Sequence, residues 1–519
     1  MSLRSLSATM QMFPSALPII LVFSCVHAAY SLAVNTSSVL SLSVNTALST
    51  DITVNDPAST CDNLHTCRSL YSIIQTCLAT IFACVWVAVH RNVPAPKIET
   101  VRRSNPIIKA ARWLWSTILD QRQSVIVFTV TLLAPEWVLA WAVRQRLRAR
   151  TIAKELEEAR VEAMEDWKAS HSELVNGTSA VAVEDRVGST GVSGRGSSEN
   201  LIEKRSSVVD NHSRPAPTEE RGALTRAMSV AKLGQPLTNA HGFFAIMGGY
   251  HAYDKNGPLN PLSPDEVIKL VRSSKLVPPT RDELSNLSKG DVISKGVAIL
   301  QTIAFVVQCI ARLVKHLPLT NLEVMTLAYT VMTVAMYIAW WDKPLNISCA
   351  IRVPGLSSGD KATHEYNWDT IFYYIIGAQD DEADLRYLQR VPTFWAGKAG
   401  EEDVWNADII ALLAAMAFGA VHCIAWSYAF PSHTELLMWR VSSIAIAAVP
   451  AALLIGLALS RGIDDMGVLV LIGFSFVGAP VYICARTILL VLSFTTLKFK
   501  YLPYAVYQNV EWTEFIPHI

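Results

Sequence analysis

Long apolar stretches alternate with polar connections along this chain, and the strongest, Gly467 to Phe494, carries a single charge, Arg486. Crossing ~30 Å of hydrocarbon takes ~20 residues of helix, because inside lipid every backbone N–H and C=O must find its partner within the segment. Seven stretches approach that length: Ser69 to Val89, Ser124 to Val143, Val297 to Val314, Asn321 to Trp341, Ile409 to Phe430, Leu436 to Leu459 and Gly467 to Phe494. Thr320 with Glu323, and Ser432 with Glu435, have the capping-box spacing directly ahead of two of them, which marks helix starts. Pro135, Pro450 and Pro480 fall inside three stretches and predict kinks. Ala448, Ala452 and Gly456 share one face and predict a packing seam. Trp340, Trp341, Trp426 and Trp439 sit near span ends, as interfacial anchors do.

The connections have different characters. Residues 1–29 have the pattern of a secretory signal peptide, with Arg4 ahead of an apolar run and small residues at Ala28 and Ala29. Residues 30–68 then form a lumenal segment with a glycosylation acceptor at Asn35 and a candidate disulfide between Cys61 and Cys67. Residues 69–150 hold the first membrane helices and a basic loop. Here the positive-inside rule is in conflict with itself: if Ser124 to Val143 crosses fully, Arg144, Arg146, Arg148 and Arg150 emerge on the same side as the disulfide. A re-entrant segment turning at Pro135 and Glu136 removes the conflict and returns the central region to the cytosol, although acceptor tripeptides at Asn176, Asn211 and Asn346 argue the other way. Residues 151–238 divide into a charged helix, Thr151 to Ala169, and a disordered Ser- and Gly-rich linker from Ser172 to Gly222. A small module follows at 239–296, with a Gly248-Gly249 turn and two capped helices starting after Ser263 and Thr280. A membrane hairpin (297–341), a loop with an interfacial helix (342–408) and C-terminal membrane helices with a tail (409–519) complete the chain. The expected fold is an all-α polytopic transmembrane bundle of six or seven spans, with a small peripheral α+β module and a disordered linker.

Composition sharpens this expectation. Hydrophobic residues reach 51% and charged residues only 17%, below the roughly 25% charged usual in soluble domains. Forty-four basic residues balance 44 acidic ones, so there is no overall field for nucleic acid and the lipid bilayer is the expected partner. No zinc-protease, paired-thiol, P-loop or nucleophile-elbow motif is present, and no cofactor follows from the sequence.

Candidate chemistry therefore lies in polar groups placed where polarity is expensive, at ~2.5 kcal/mol or more for an ionisable group. Glu136, His422 and Arg486 qualify, joined by Gln301 and Gln308 on one face of the third span. Glu136 pairs with Arg486 in a structural reading, with His422 bonded to a carbonyl; in a functional reading the group is a proton relay or substrate cluster. Asp380, Asp381 and Asp384 match the DDxxD spacing that holds magnesium in prenyl diphosphate enzymes, without the second motif of those enzymes. Asp342 and Lys343 flank a span end and are expected to pair with each other.

Several strings resemble those of a large family of uncharacterised fungal multi-pass transmembrane proteins. They are Cys77 to Cys84 running on to His90 and Pro94, His241 to Gly248, Trp340-Trp-Asp-Lys-Pro344, Ser432 to Leu436 and the terminal Phe515 to Ile519. In that family a proline directly follows the histidine at position 90, whereas Arg91 stands here. The resemblance implies a membrane fold and fungal origin, and no reaction. The expectation is an integral membrane protein of the secretory pathway whose function the sequence does not assign, with small-molecule transport or a channel-like role as the first class. A membrane enzyme acting on a lipid or isoprenoid is the alternative, with a non-catalytic receptor or scaffold as a third class.

Overall fold

The structure is a computed structural model that describes residues 67–96, 124–184, 232, 234–255, 257–288, 292–354, 380, 383–460, 464–498 and 504–510. The signal segment, Asn35, Cys61, most of the linker, the apolar stretch Ile371 to Ile376, Asp381 and the terminal Phe515 to Ile519 lie outside these residues.

Helix α1 (Leu70–Phe82) begins at Ser69, whose hydroxyl accepts from the Ser72 amide, and runs into a single π turn over Ala83–Val87. Next come α2 (Ser124–Leu133) and α3 (Pro135–Glu184), bent by 113° at the break between them. The proline explains the break, since it has no N–H to donate and its ring displaces the carbonyl one turn earlier. Beyond the break α3 is continuous, so the charged helix foreseen at Thr151 is an extension of a membrane element and runs past Ser172 to Glu184.

Helix α4 (Asn239–Ile246) leads through Gly248, at φ 83°, into strands β1 (Tyr250–Asp254) and β2 (Gly257–Pro261), then α5 (Pro264–Arg272) and α6 (Arg281–Leu287). Both foreseen capping boxes are formed, at Ser263 with Glu266 and at Thr280 with Glu283. After α7 (Val292–Val314) and α8 (Asn321–Ala339), strand β3 (Ile351–Pro354) pairs in parallel with β1, giving the sheet order β2-β1-β3. The module is thus discontinuous, and its boundary at 296 is corrected: it takes its third strand from the far side of a membrane hairpin. It packs on α3, where Gly242 lies so close that a Cβ would sit 2.1 Å from the Ala149 carbonyl oxygen.

Helices α9 (Glu401–His422), α10 (His433–Ser460) and α11 (Asp464–Thr495) complete the bundle, with Pro450 and Pro480 inside continuous helices. Among the described residues six helices are long and apolar enough to cross a membrane, and the bent α2–α3 pair is a seventh candidate. Central α8 is 67% buried over its apolar window, whereas the other five are 33% to 39% buried. Their outward faces are apolar: Val297, Leu300 and Ile303 on α7 and Phe476, Val477 and Val481 on α11 are all exposed. Helices that present such apolar faces outward suit hydrocarbon better than water.

Among the described residues the close approach is Gly419 of α9 against Ala447 of α10, where a Cβ would meet backbone at 2.8 Å; of the foreseen seam, Gly456 is buried and Ala448 is exposed. The expected role of the tryptophans is corrected in part. Trp340 and Trp439 are fully buried core residues, leaving Trp341 and Trp426 as exposed tryptophans. Among the apolar-run cysteines, Cys77, Cys84 and Cys309 are buried free thiols, but Cys423 is exposed.

The two ends of the bundle differ. At one end the Cys67–Gln508 bridge joins the start of α1 to the short helix Tyr504–Val506, and Arg68 pairs with both oxygens of Glu323 while donating to the Val506 carbonyl at 2.8 Å. Arg312 binds the Ala505, Val506 and Gln508 carbonyls at the same end. Cys67 is disulfide-bonded. At the other end lie His90, the arginine-rich part of α3 and the module. Ser124, at the start of α2, is bonded by Arg91, and Gln145, on the returning limb, meets Asn92 at 3.1 Å. Both limbs of the α2–α3 hairpin therefore open at one end of the bundle, the shape of a re-entrant segment.

Candidate functional site

The tip of the re-entrant hairpin is the first candidate. Breaking a helix at Pro135 frees the last carbonyls of α2, and Arg486 of α11 captures them, its Nε donating to Leu133 O at 3.2 Å and its Nη2 to Leu132 O at 3.1 Å. Nη2 also donates to the Tyr329 hydroxyl at 3.2 Å, and that hydroxyl donates in turn to Leu132 O. The guanidinium lies 3.8 Å over the Phe418 ring. A cation at a helix C-terminus complements the partial negative charge there, and each charge-assisted bond contributes about 1.5–3 kcal/mol, which offsets the cost of burying it.

Glu136 sits in the first turn of α3, where the helix dipole favours a carboxylate. Arg486 and Tyr482 are its polar neighbours. The ion pairs among the described residues do not include Glu136 with Arg486, so the direct structural pairing is corrected: the arginine serves the broken helix instead. Glu136 Oε2, Arg486 Nη1 and the Tyr482 hydroxyl are buried without hydrogen-bond partners. His422, fully buried, donates from Nδ1 to Phe418 O at 2.8 Å, since a carbonyl only accepts; Nε2 is then a bare acceptor, 3.3 Å from the Met325 sulfur. The Phe418 and His422 rings are 4.8 Å apart, so Glu136, Arg486 and His422 form one group linked through Phe418. The glutamines stand apart. Gln301 donates to the Thr80 hydroxyl of α1 at 3.1 Å, and Gln308, on the same helix, is half-buried.

A second centre lies at the open end of the hairpin. Lys343 is fully buried, and its ammonium donates to His90 O, to Gln145 Oε1 at 2.8 Å and to Asn92 Oδ1 at 3.4 Å, 4.8 Å from each of the Trp141 and Trp340 rings. The pairing with Asp342 is corrected, because Asp342 accepts from Asn239 Nδ2 at 3.1 Å and no carboxylate reaches Lys343. Burial pushes the lysine well below its ordinary pKa, whereas the three oxygens and two ring faces stabilise its charged form. Gln145 ties the centre together, accepting from Trp340 Nε1 at 2.9 Å and donating to Trp395 O at 2.6 Å. His90 stacks on Trp340, with ring centroids 5.6 Å apart. Burial, then Lys295 and Lys343, hold its imidazole well below the ordinary histidine pKa.

The acidic cluster has local work. Both Asp380 oxygens accept from the Ala396 amide at 3.0 and 3.1 Å, and Oδ2 also from Lys398 N at 3.1 Å. Asp384 caps the short helix Leu385–Tyr387 and pairs with Arg386 at 2.6 Å. Among the described residues no group of three or more His, Cys, Asp or Glu side chains is placed to hold a metal. The lysine centre went unmarked in the sequence because its members come from four separate segments. The available signal was a lysine set between two tryptophans and a proline.

Residues 217–407, under half of the 519-residue chain, are similar to a family model described as a family of unknown function (DUF8562). That stretch holds Lys295, Tyr337, Trp340, Lys343 and Trp395, and none of Glu136, His422 or Arg486. No curated protein and no solved structure matches the chain.

Proposed function

We propose that this is an integral membrane protein that moves a small polar solute, with the re-entrant tip as the solute's station. The observation that carries the reading is the broken helix inside the bundle, with Glu136 Oε2, Arg486 Nη1 and the Tyr482 hydroxyl buried and unpartnered around it. Discontinuous helices supply a polar site at mid-membrane through their free backbone ends and the dipoles of the half-helices. Glu136 Oε2, the Tyr482 hydroxyl and the arginine's own Nη1 cost about 1–3 kcal/mol each when unmet, a cost that a bound polar solute removes. Arginine and tyrosine supply donors, and Glu136 supplies a proton or an acceptor as its protonation requires. An anionic or hydroxylated solute fits that set.

The disulfide end belongs in the lumen or outside the cell, and the arginine-rich end with the module in the cytosol, because thiols are oxidised on the former side and basic loops stay on the latter. That orientation supports a membrane of the secretory pathway. The enzyme alternative rests on Asp380, Asp381 and Asp384, and the two of these that are described are engaged with their own loop.

The test is water access to the tip. In reconstituted vesicles, Glu136→Cys should react with a membrane-impermeant methanethiosulfonate reagent added on either side, beyond the labelling of the wild-type protein with its native cysteines. If that position resists the reagent from both sides, no solute reaches the tip from water and the transport reading falls.

A further inference from the structure

His90 is buried with both ring nitrogens lacking a hydrogen-bond partner, and the hydroxyl of Tyr337, whose ring is 6.5 Å away and edge-on, is likewise buried and unpartnered. Any imidazole carries at least one N–H, so this corner of the protein holds at least two idle donors. Buried polar groups in native proteins are almost always bonded, and each one left unmet costs about 1–3 kcal/mol. Three such atoms side by side point to a missing partner.

The local charge identifies what that partner is. Lys295, at the start of the α7 span, and Lys343 both act on the His90 imidazole, and no carboxylate does. Half-buried Arg91 lies over the Trp86 ring, 5.3 Å from its centroid, and donates to Ser124. Among the described residues no ion pair involves Lys295, Lys343 or Arg91. The nearest acid in sequence, Asp342, is bonded to Asn239. Buried positive charge with no counter-charge is strongly unfavourable, and idle donors beside it suit an oxyanion.

The position says how the oxyanion arrives. His90, Tyr337 and Lys295 lie where α1 and α8 end and α7 begins, at the arginine-rich end of the bundle. The exposed apolar stripe of Val297, Leu300 and Ile303 runs away from Lys295 along α7. Gly296 has open space where a side chain would stand. We propose that His90, Tyr337 and Lys295, backed by Lys343, bind the phosphate of an anionic phospholipid, whose acyl chains lie on the α7 stripe. Basic pockets between helices at the cytosolic surface are suited to such headgroups. The inference is independent of transport at the re-entrant tip.

Full-length protein, delipidated in detergent, is titrated with dioleoylphosphatidic acid, dioleoylphosphatidylcholine or inorganic phosphate, and its unfolding temperature is followed. Phosphatidic acid is expected to stabilise at concentrations about tenfold below phosphatidylcholine, the factor one charge-assisted hydrogen bond supplies, and inorganic phosphate to have no effect. Lys295→Gln and Tyr337→Phe should each raise the half-effective phosphatidic acid concentration roughly fivefold or more. Tyr337→Phe guards against a folding artefact, since removing an idle hydroxyl from an empty corner stabilises the protein and leaves its lipid response unchanged. That result overturns the proposal, as does an equal response to both lipids. Stabilisation by inorganic phosphate at the same concentrations as phosphatidic acid would assign the site to free phosphate and overturn the lipid assignment.

Discussion

Neither Arg486 nor Lys343, both buried, forms an ion pair among the described residues, yet the two ends of the α2–α3 hairpin use them differently. At the tip, the planar guanidinium spans two adjacent carbonyls of a broken helix and lies flat on Phe418. At the mouth, the compact ammonium points into three oxygens from two segments, His90 and Asn92 on one and Gln145 on the other, and sits between two tryptophans. A fork suits parallel acceptors on one element, and a point charge suits converging acceptors on more than one. Arg68, which does have a carboxylate, needs Glu323 at the disulfide end, where the same arginine also binds a tail carbonyl. The lesson is that a buried cation here marks a place where backbone must be gathered, and its residue type tells how many elements are gathered.

The largest test of that contrast is Arg486→Gln. Leu132 and Leu133 lose their charged donor, and a loss of about 3–5 kcal/mol, the scale of a broken buried charge network, is expected. It should appear as a sharply lowered unfolding temperature in detergent. Retained wild-type stability would mean that water already serves those carbonyls. Next comes Gly242→Ala, which drives a Cβ into the Ala149 carbonyl and should cost about 1–3 kcal/mol by overpacking. Proteolysis of the module should quicken while the six spans stay protected.

Lys343→Met sharpens the comparison from the other end. It leaves the His90 carbonyl and Gln145 Oε1 short of a donor but removes an uncompensated charge, so a net loss of about 1–2 kcal/mol is expected. Arg486→Gln and Lys343→Met should therefore differ by a factor of two or more in destabilisation. Equal losses would erase the distinction. The smallest effect concerns pH. His241 accepts from the Thr238 amide at Nδ1, 2.9 Å, and so donates from Nε2 to Pro279 O at 3.0 Å; burial lowers its pKa. Its folded value lies below the unfolded ~6.5, so this stability is present above that pH and is lost as pH falls toward the folded value. The slope is at most about 1.4 kcal/mol per unit. His241→Asn should flatten the decline in unfolding temperature between pH 7.5 and 5.5 attributable to this residue.

Much of the architecture was legible because hydrocarbon imposes a coarse rule. Most apolar runs of about the right length became helices near the expected bounds, although α9 spans Glu401–His422 where Ile409 to Phe430 was expected and α3 runs on to Glu184, and the capping boxes at Ser263, Thr280 and Thr320 formed as spaced. The charge conflict at Arg144 to Arg150 pointed to a turn at Pro135, and the helix does break there, with Ser124 and Gln145 both beside the Arg91–Asn92 segment. Pairings across distant segments were not legible. Nothing local in Ile351–Pro354 says that it completes a sheet begun at Tyr250, and nothing near Trp340 distinguishes a core indole from an interfacial one. Glu136, His422 and Arg486 could be picked out because charge is conspicuous in an apolar run. Lys343 hid at a span end, where charge is cheap in sequence but proves costly in place.

The parallel pairing of β3 with β1 has one further consequence. Between those strands the chain must run out and back through α7 and α8, two helices long and apolar enough to cross a membrane. The sheet therefore stays two-stranded until that helical hairpin has folded back on itself. Completion of the small domain thus reports, by geometry alone, that the neighbouring pair of apolar helices has closed, which couples the order of assembly of the two parts.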